Sequence, residues 1–213
     1  MDIKVELSEY SEQPISTQIL FSLLKGYRRP YDKIMELIQQ GYLVQLRKGL
    51  YLTSPLVSSK MPEPFLTANH LYGPSYISLD SALFHWGLIP ERVFEIASVT
   101  TKKSKIFLIQ NVSYSFTHLP IAYYPLGIQS LILTEKQTVL IASPEKALCD
   151  KVITTSGINL RSSQQALAFL VEDLRIEKDQ LRELNLREIV KWLPVCPKRT
   201  SIQCIIEMLE MIS

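Results

Sequence analysis

The spacing of apolar residues changes at Gly41, and this change constrains the fold of the N-terminal part more than any other feature. Before it, residues 15–25 and the segment after Pro30 carry apolar residues three or four positions apart, the period of an amphipathic helix. After it, apolar and polar residues alternate over residues 42–52 around a Lys48-Gly49 turn, which indicates a β-hairpin. Two helices followed by a hairpin with a basic tip predict a winged helix-turn-helix.

The two predicted helices differ in how well their ends are defined. Ser16 is a plausible N-cap for the first helix, and Pro30 suits the first turn of the second. The apolar stripe of the second helix is predicted to face the core, with Tyr31, Ile34, Met35, Leu37 and Ile38. Residues 25–29 are too few for the middle helix of a three-helix module. Either that helix is reduced to a turn, or the first residues of the chain supply an extra element.

The same region is strongly basic. From position 25 to position 60 seven bases stand against two acids, a balance of 7 − 2 = +5, whereas the whole chain carries only +2. Arg28, Arg29 and Lys33 are predicted to contact the major groove, because residues near the start of a recognition helix reach base edges there. Arg47 and Lys48 at the hairpin turn are predicted to hold phosphates. The alternative is a winged helix used only for protein contacts, its bases merely solvated.

The rest of the chain has a different organisation. Residues 54–64 hold three prolines and three serines and are interpreted as a linker or an extended crossover. The chain is accordingly divided into domains 1–58 and 59–213. Strands are predicted over residues 94–99, 105–110, 113–118, 128–133 and 138–141, and helices from about residue 160 onward. The predicted fold class is therefore α+β: an N-terminal winged helix-turn-helix, then a mixed α/β domain with a helical C-terminus.

A cluster of charged residues opens the helix that follows Ser143. Glu145, Lys146 and Asp150 lie within one and a half turns, and paired carboxylates near a lysine can bind magnesium or work as acid and base. A magnesium-dependent nuclease or transferase is therefore one alternative. However, Lys146 and Asp150 have the i,i+4 spacing of a surface ion pair, and Glu145 stands where the helix dipole favours an acid. These positions favour a structural role and a protein that is not an enzyme.

Other chemistry finds little support in the sequence. The three cysteines form no CxxC pair, the three histidines are scattered, and no glycine-rich phosphate loop is present. We therefore expect no metal, no cofactor and no small-molecule substrate. The polar N-terminus lacks an apolar signal core, and no apolar run approaches the roughly 18 residues of a membrane span. This pattern is typical of a cytoplasmic protein that does not enter the membrane.

Four segments, in this order, carry a family resemblance: LVQLRKGLYL, ANHLYGPSYISLDSALFHWGLIPE, ASVTTKK and IASPEKALCDKV. Together they resemble AbiEi-type antitoxins, the predicted transcriptional regulators of type IV toxin–antitoxin and phage-defence systems. The match covers roughly residues 16–152, and residues 68–91 are its most specific part.

The resemblance implies a winged-helix N-terminus and an α/β antitoxin domain. It further implies that the protein binds double-stranded promoter DNA at inverted repeats, represses its own operon, and counteracts a nucleotidyltransferase-like toxin without being an enzyme. The short connection over residues 25–29 departs from the family pattern, so an adaptor that binds proteins but not DNA remains an alternative.

Overall fold

The computed structural model describes residues 2–91 and 93–212. It confirms a mixed α+β protein, with two sheets among its helices. The chain divides into two compact units. The first comprises the chain up to Gly73 together with Ile132–Val139, and the second comprises Pro74–Leu131 and the chain from Leu140 onward. The first unit thus extends past residue 58, where the sequence indicates a boundary.

The first unit alternates helices with short strands. Its elements, in chain order, are α1 (Ile3–Ser8), β1 (Ile15–Ser16), α2 (Thr17–Leu23), α3 (Pro30–Gln39), β2 (Leu43–Arg47), β3 (Leu50–Thr53) and α4 (Pro64–Leu71). The strands form an antiparallel sheet in the order β1-β3-β2. Residues 25–29 contain no helix, and the first residues of the chain supply an extra element, helix α1.

Side-chain caps explain where the first helices begin. The Asp2 carboxylate accepts a hydrogen bond from Lys4 N at 3.0 Å, and Ser16 Oγ accepts one from Ile19 N at 3.3 Å. Each bond satisfies a main-chain N–H that has no partner inside its helix. Pro30 occupies the first turn of α3, where its missing N–H costs nothing. The predicted cap at Ser16 and the predicted start of α3 are both confirmed.

The buried core of the first unit draws on each of its first three helices and on all three strands. Its members are Leu7, Ile15, Leu20, Leu24, Ile34, Leu37, Leu43 and Tyr51. The predicted core face of α3 is only partly correct, because Tyr31 and Met35 are 64% and 52% exposed. Helix α3 packs on the core through Ile34 and Leu37, with the partly buried Ile38 beside them, so Tyr31 and Met35 at the flank of its apolar face remain exposed.

The predicted linker is tied into the first unit. Residues 54–63 form neither helix nor strand, as expected. However, the buried Gln137 side chain accepts a hydrogen bond from Glu63 N at 2.7 Å and donates one to Met61 O at 3.3 Å. Lys60 and Lys136 also lie 3.5 and 3.4 Å from the Glu12 carboxylate. A segment distant in sequence therefore binds the main chain of this stretch.

The second unit contains most of a six-stranded mixed sheet, whose order is β6-β7-β5-β4-β9-β8. The strands are β4 (Ser75–Ile77), β5 (Glu95–Thr100), β6 (Lys105–Ile109), β7 (Val112–His118), β8 (Ile128–Thr134) and β9 (Gln137–Ala142). Strand β4 pairs antiparallel with β5 and parallel with β9, while β7 pairs parallel with β5 and antiparallel with β6. The five predicted strands are confirmed to within one or two residues at each end.

Helices make up the remainder of the second unit. They are α5 (Leu79–His85), α6 (Pro144–Thr154), α7 (Ser163–Ala168), α8 (Lys178–Arg182), α9 (Leu186–Trp192) and α10 (Arg199–Ile212). A π-helical turn, Phe169–Asp173, continues α7, and a 3₁₀ turn, Leu193–Val195, follows α9. The helical C-terminus predicted from about residue 160 is thus confirmed. Over residues 2–91 and 93–212, the chain has no helix with the length and apolar character needed to cross a bilayer.

Both ends of α6 have side-chain partners. Ser143 Oγ accepts a hydrogen bond from Lys146 N at 3.2 Å, which confirms the predicted cap. Beyond the other end, Lys198 Nζ donates to the carbonyl oxygens of Val152, Thr155 and Ile158 at 3.0, 2.8 and 2.8 Å. A single ammonium group therefore satisfies carbonyls that the helix leaves without partners.

Gly127 tests how closely the second unit is packed. Its φ is +64°, and a Cβ there would lie 2.8 Å from Lys146 Cβ and from ring carbons of Trp192. Gly157 has φ +81° with open space around it.

We expect Gly157→Ala to lose about 1–2 kcal/mol of stability from backbone strain alone. Gly127→Ala should lose roughly 1–3 kcal/mol more, because the added methyl group overpacks the site. Urea denaturation of the full chain measures both losses, and equal losses would contradict the close approach.

Candidate nucleic-acid interface

The connection between α2 and α3 presents basic side chains to solvent. Lys25 and Arg28 are exposed, and neither forms an ion pair with any residue that the structure describes. Arg29 is also exposed, but its guanidinium lies 3.4 Å from the Asp32 carboxylate one turn into α3. Of the two arginines predicted to contact DNA here, Arg28 is therefore the one with an uncommitted charge.

Lys33 is held against its own helix. Its Nζ donates to Glu36 Oε1 at 2.8 Å and lies 5.3 Å from the centre of the Tyr27 ring. The hydrogen bond to Glu36 raises the pKa of Lys33, and the same bond lowers the pKa of Glu36. The ammonium group is thus partly neutralised by an i,i+3 partner, and a DNA phosphate would have to compete with that carboxylate.

These side chains line one surface concavity of about 510 Å³, formed by Tyr27, Arg28, Arg29, Asp32, Lys33 and Glu36. Three positive and two negative charges face it, so its balance is 3 − 2 = +1. The structure therefore brings together the three residues predicted to enter the groove, and it adds two acids and an aromatic ring to them. Sequence reasoning selected neither Tyr27 nor the nearby Lys25 as site residues.

The turn of the β2–β3 hairpin carries the other two predicted contacts. Arg47 donates through Nε to Leu71 O at 2.8 Å and through Nη1 to Lys48 O at 3.2 Å. Lys48 is exposed and has no ion-pair partner in the part of the chain that the structure describes. At the same turn, Thr17 N donates to Gly49 O at 3.1 Å. Arg47 thus ties the hairpin to the end of α4, while Lys48 remains available.

The two basic clusters have different neighbours within the first unit. The α2–α3 connection and α3 surround the concavity, whereas the hairpin turn contacts the start of α2 and the end of α4. Both clusters are at the surface. The cations with no ion pair or hydrogen-bond partner for their charged groups, among the described residues of this region, are Lys25, Arg28 and Lys48.

The second unit holds the charged residues that the sequence offered as an alternative catalytic cluster. Lys146 and Asp150 are both 0% exposed, with Lys146 Nζ 2.9 Å from Asp150 Oδ1. The expected surface ion pair is therefore wrong, because the i,i+4 pair faces the interior. Asp150 Oδ2 accepts hydrogen bonds from Tyr76 OH at 2.8 Å and from Ser78 Oγ at 2.7 Å.

The ammonium group of this pair is enclosed as well. Lys146 Nζ donates to Tyr123 O at 3.1 Å and lies 3.3 Å from the centre of the Tyr123 ring, a cation–π contact. Burial lowers the pKa of Lys146, and Asp150 opposes that effect. Burial likewise raises the pKa of Asp150, and Lys146 opposes that effect. Neither charged group is reachable by a substrate in this conformation.

Two further observations bear on the charged cluster. Leu79, which follows Ser78, has φ +54°, a region that costs a side chain of this kind about 1–2 kcal/mol. Glu145 lies apart from the pair: its carboxylate accepts a hydrogen bond from Asn185 N at 2.8 Å and borders a separate concavity of about 170 Å³. The three residues do not converge on one site.

Within residues 2–91 and 93–212, no group of three or more His, Cys, Asp or Glu side chains is arranged to hold a metal ion. Comparison of the chain with known protein families finds no matching family model. Comparison with curated proteins likewise finds no match.

The buried pair leads to a stability prediction. Lys146→Met leaves the Asp150 carboxylate buried without its counter-ion, which should cost about 3–5 kcal/mol of unfolding free energy. The matched control is Lys151→Met on the same helix, which removes a partly exposed ion pair with Asp80 and should cost less than about 1 kcal/mol.

A second variant separates charge from packing. Asp150→Asn in the Lys146→Met background removes the unpaired charge but keeps an oxygen for Tyr76 and Ser78. This double variant should be more stable than Lys146→Met alone in urea denaturation. If Lys146→Met lowers the free energy of unfolding by no more than Lys151→Met does, the buried pair does not stabilise the fold as proposed.

Proposed function

We propose that the chain is a DNA-binding transcriptional regulator whose first unit is a winged helix. One observation carries this proposal: the order α1-β1-α2-α3-β2-β3, closed by a sheet in which β3 lies between β1 and β2. In this arrangement α3 is the recognition helix and the β2–β3 turn is the wing. The exposed bases at the start of α3 and on the wing support the same use.

The exposed bases around α3 and on the wing fall into two groups, according to whether their charges already have partners. Arg28 at the start of α3 is suited to base edges, and Lys25 and Lys48 are suited to phosphates. Arg29 and Lys33 would exchange Asp32 and Glu36 for DNA, so they contribute less net affinity. The two cations suited to phosphates correspond to a salt slope of about −1.8 per copy, at roughly −0.9 for each neutralised phosphate.

The resemblance to AbiEi-type antitoxins extends this proposal. The regulator would bind its own promoter and counteract a nucleotidyltransferase-like toxin encoded beside it. Co-expression with the adjacent gene tests this extension, since the chain should relieve the growth arrest that such a toxin causes. Persistent arrest would remove the antitoxin role and leave DNA binding to be judged separately.

Band shifts on the DNA upstream of the gene test the winged helix. The full chain should bind with an affinity that falls as salt rises. Lys48→Ala should reduce the salt slope by about 1, and Arg28→Ala should cost roughly 1–3 kcal/mol and relax base preference. Arg187→Ala, which removes an exposed arginine of the second unit, should change neither quantity. Binding that is absent or insensitive to salt would contradict the proposal.

A second candidate function has its own observation. Tyr31 and Met35 are both exposed and lie four residues apart in α3, which places them on one side of the helix. Exposed apolar residues that share a helix face favour a protein-binding surface. In this alternative, Met35→Ser abolishes co-purification with the product of the adjacent gene, and the unmodified chain shows no affinity for the upstream DNA.

A further inference from the structure

Strand β6 is an end strand of the six-stranded sheet. Strand β7 is its neighbour on one side, and no described strand pairs with it on the other. Ile106 and Leu108 of β6 are 69% and 74% exposed. Because alternate residues of a strand point to the same face, these two side chains form a continuous apolar row along the sheet edge. Such an edge is a template for pairing with another strand.

The opposite edge of the sheet lacks this feature. Strand β8 also exposes a large apolar residue, Ile132, which is 74% exposed. The residue two positions before it, on the same face, is the exposed Ser130, and Gln129 is exposed as well. An apolar row of two exposed residues therefore distinguishes β6 from β8.

We propose that a second copy of this chain pairs antiparallel with β6, in the register centred on Phe107. In that register Ile106 of each copy lies opposite Leu108 of the other, so four exposed apolar side chains cover one another. Residues directly opposite in an antiparallel pair are about 4.5–5.5 Å apart, close enough for this contact. The two sheets become one continuous sheet across a two-fold axis.

The sequence of β6 favours a second copy as the occupant. Its two exposed apolar residues, Ile106 and Leu108, are placed symmetrically about Phe107, so this face of the strand is complementary to itself in the antiparallel direction. The lysines before and at the start of the strand do not meet each other in this register. Lys105 lies opposite Ile109, and Lys102 and Lys103 precede the paired strand. Like charges are therefore not opposed, although three lysines occur within four residues.

This inference does not depend on DNA binding, although two copies related by a two-fold axis would match the symmetry of an inverted repeat. Light scattering of the full chain without DNA tests it. The chain of 24.4 kDa should approach 2 × 24.4 = 48.8 kDa as its concentration rises. Leu108→Lys should weaken the dimer at least about tenfold, because it buries a charge against Ile106. Ile132→Lys, at an equally exposed position of the other edge, should leave it unchanged.

Disulfide cross-linking tests the register. Opposed residues in the proposed pairing fall within the Cα separation that a disulfide spans. A mixture of Ile106→Cys and Leu108→Cys proteins should therefore cross-link under mild oxidation, while neither variant should cross-link alone. The native cysteines are buried and should stay unreacted. A chain that remains monomeric at every concentration, or a single variant that cross-links by itself, would overturn the proposal.

Discussion

The contact between Lys146 and Asp150 organises the second unit. Removing two charges from water costs several kcal/mol per ion, and the cost is offset only where the surroundings supply partners with good geometry. Here those partners come from distant parts of the chain: hydroxyl groups of Tyr76 and Ser78, and the ring and carbonyl of Tyr123. A different packing of α6 would leave a buried charge without them. The pair therefore links α6 to β4 and to the segment before β8.

The charged residues of the first unit differ from this pair, because the bases lie at the surface and several of them bind nearby partners. Arg29 and Lys33 pair with acids one turn away, and Arg47 donates to main-chain carbonyls. The charge available to an outside partner is thus smaller than the local sequence balance implies. What remains is a set of separate cations around the entry to α3 and the hairpin turn. This distribution suits phosphate contacts made singly more than a broad positive field.

Local patterns predicted much of the fold. The strands from β5 to β9 follow from alternation of apolar residues, and α6 follows from the cap at Ser143. Strand β4 was missed, since three residues carry too little periodicity. The burial of Lys146 and Asp150 was also missed, because i,i+4 spacing is the same on a surface and in a core. Residues between 23 and 74 positions away in the chain decide between the two.

The candidate interface was predictable to a similar degree. The basic residues around α3 and the hairpin turn were found from charge alone, and all of them are at or near the surface. The ion pairs that some of these bases form could not be predicted, because Asp32 and Glu36 appear in the sequence simply as residues on the polar side of a helix. The exposure of Tyr31 and Met35 depends on how wide a stripe of α3 the core covers, which periodicity does not report.

The hydrogen bonds of Gln137 make the first unit depend on a segment that is distant in the sequence. The amide that fixes the main chain at Met61 and Glu63 is contributed by sequence far beyond Gly73. The first unit is therefore discontinuous, and a fragment cut at Gly73 would carry a partly buried main-chain donor and acceptor without their partner. A contiguous fragment of the first unit lacks these two hydrogen bonds. An affinity measured on such a fragment would therefore not be that of the first unit in the full chain.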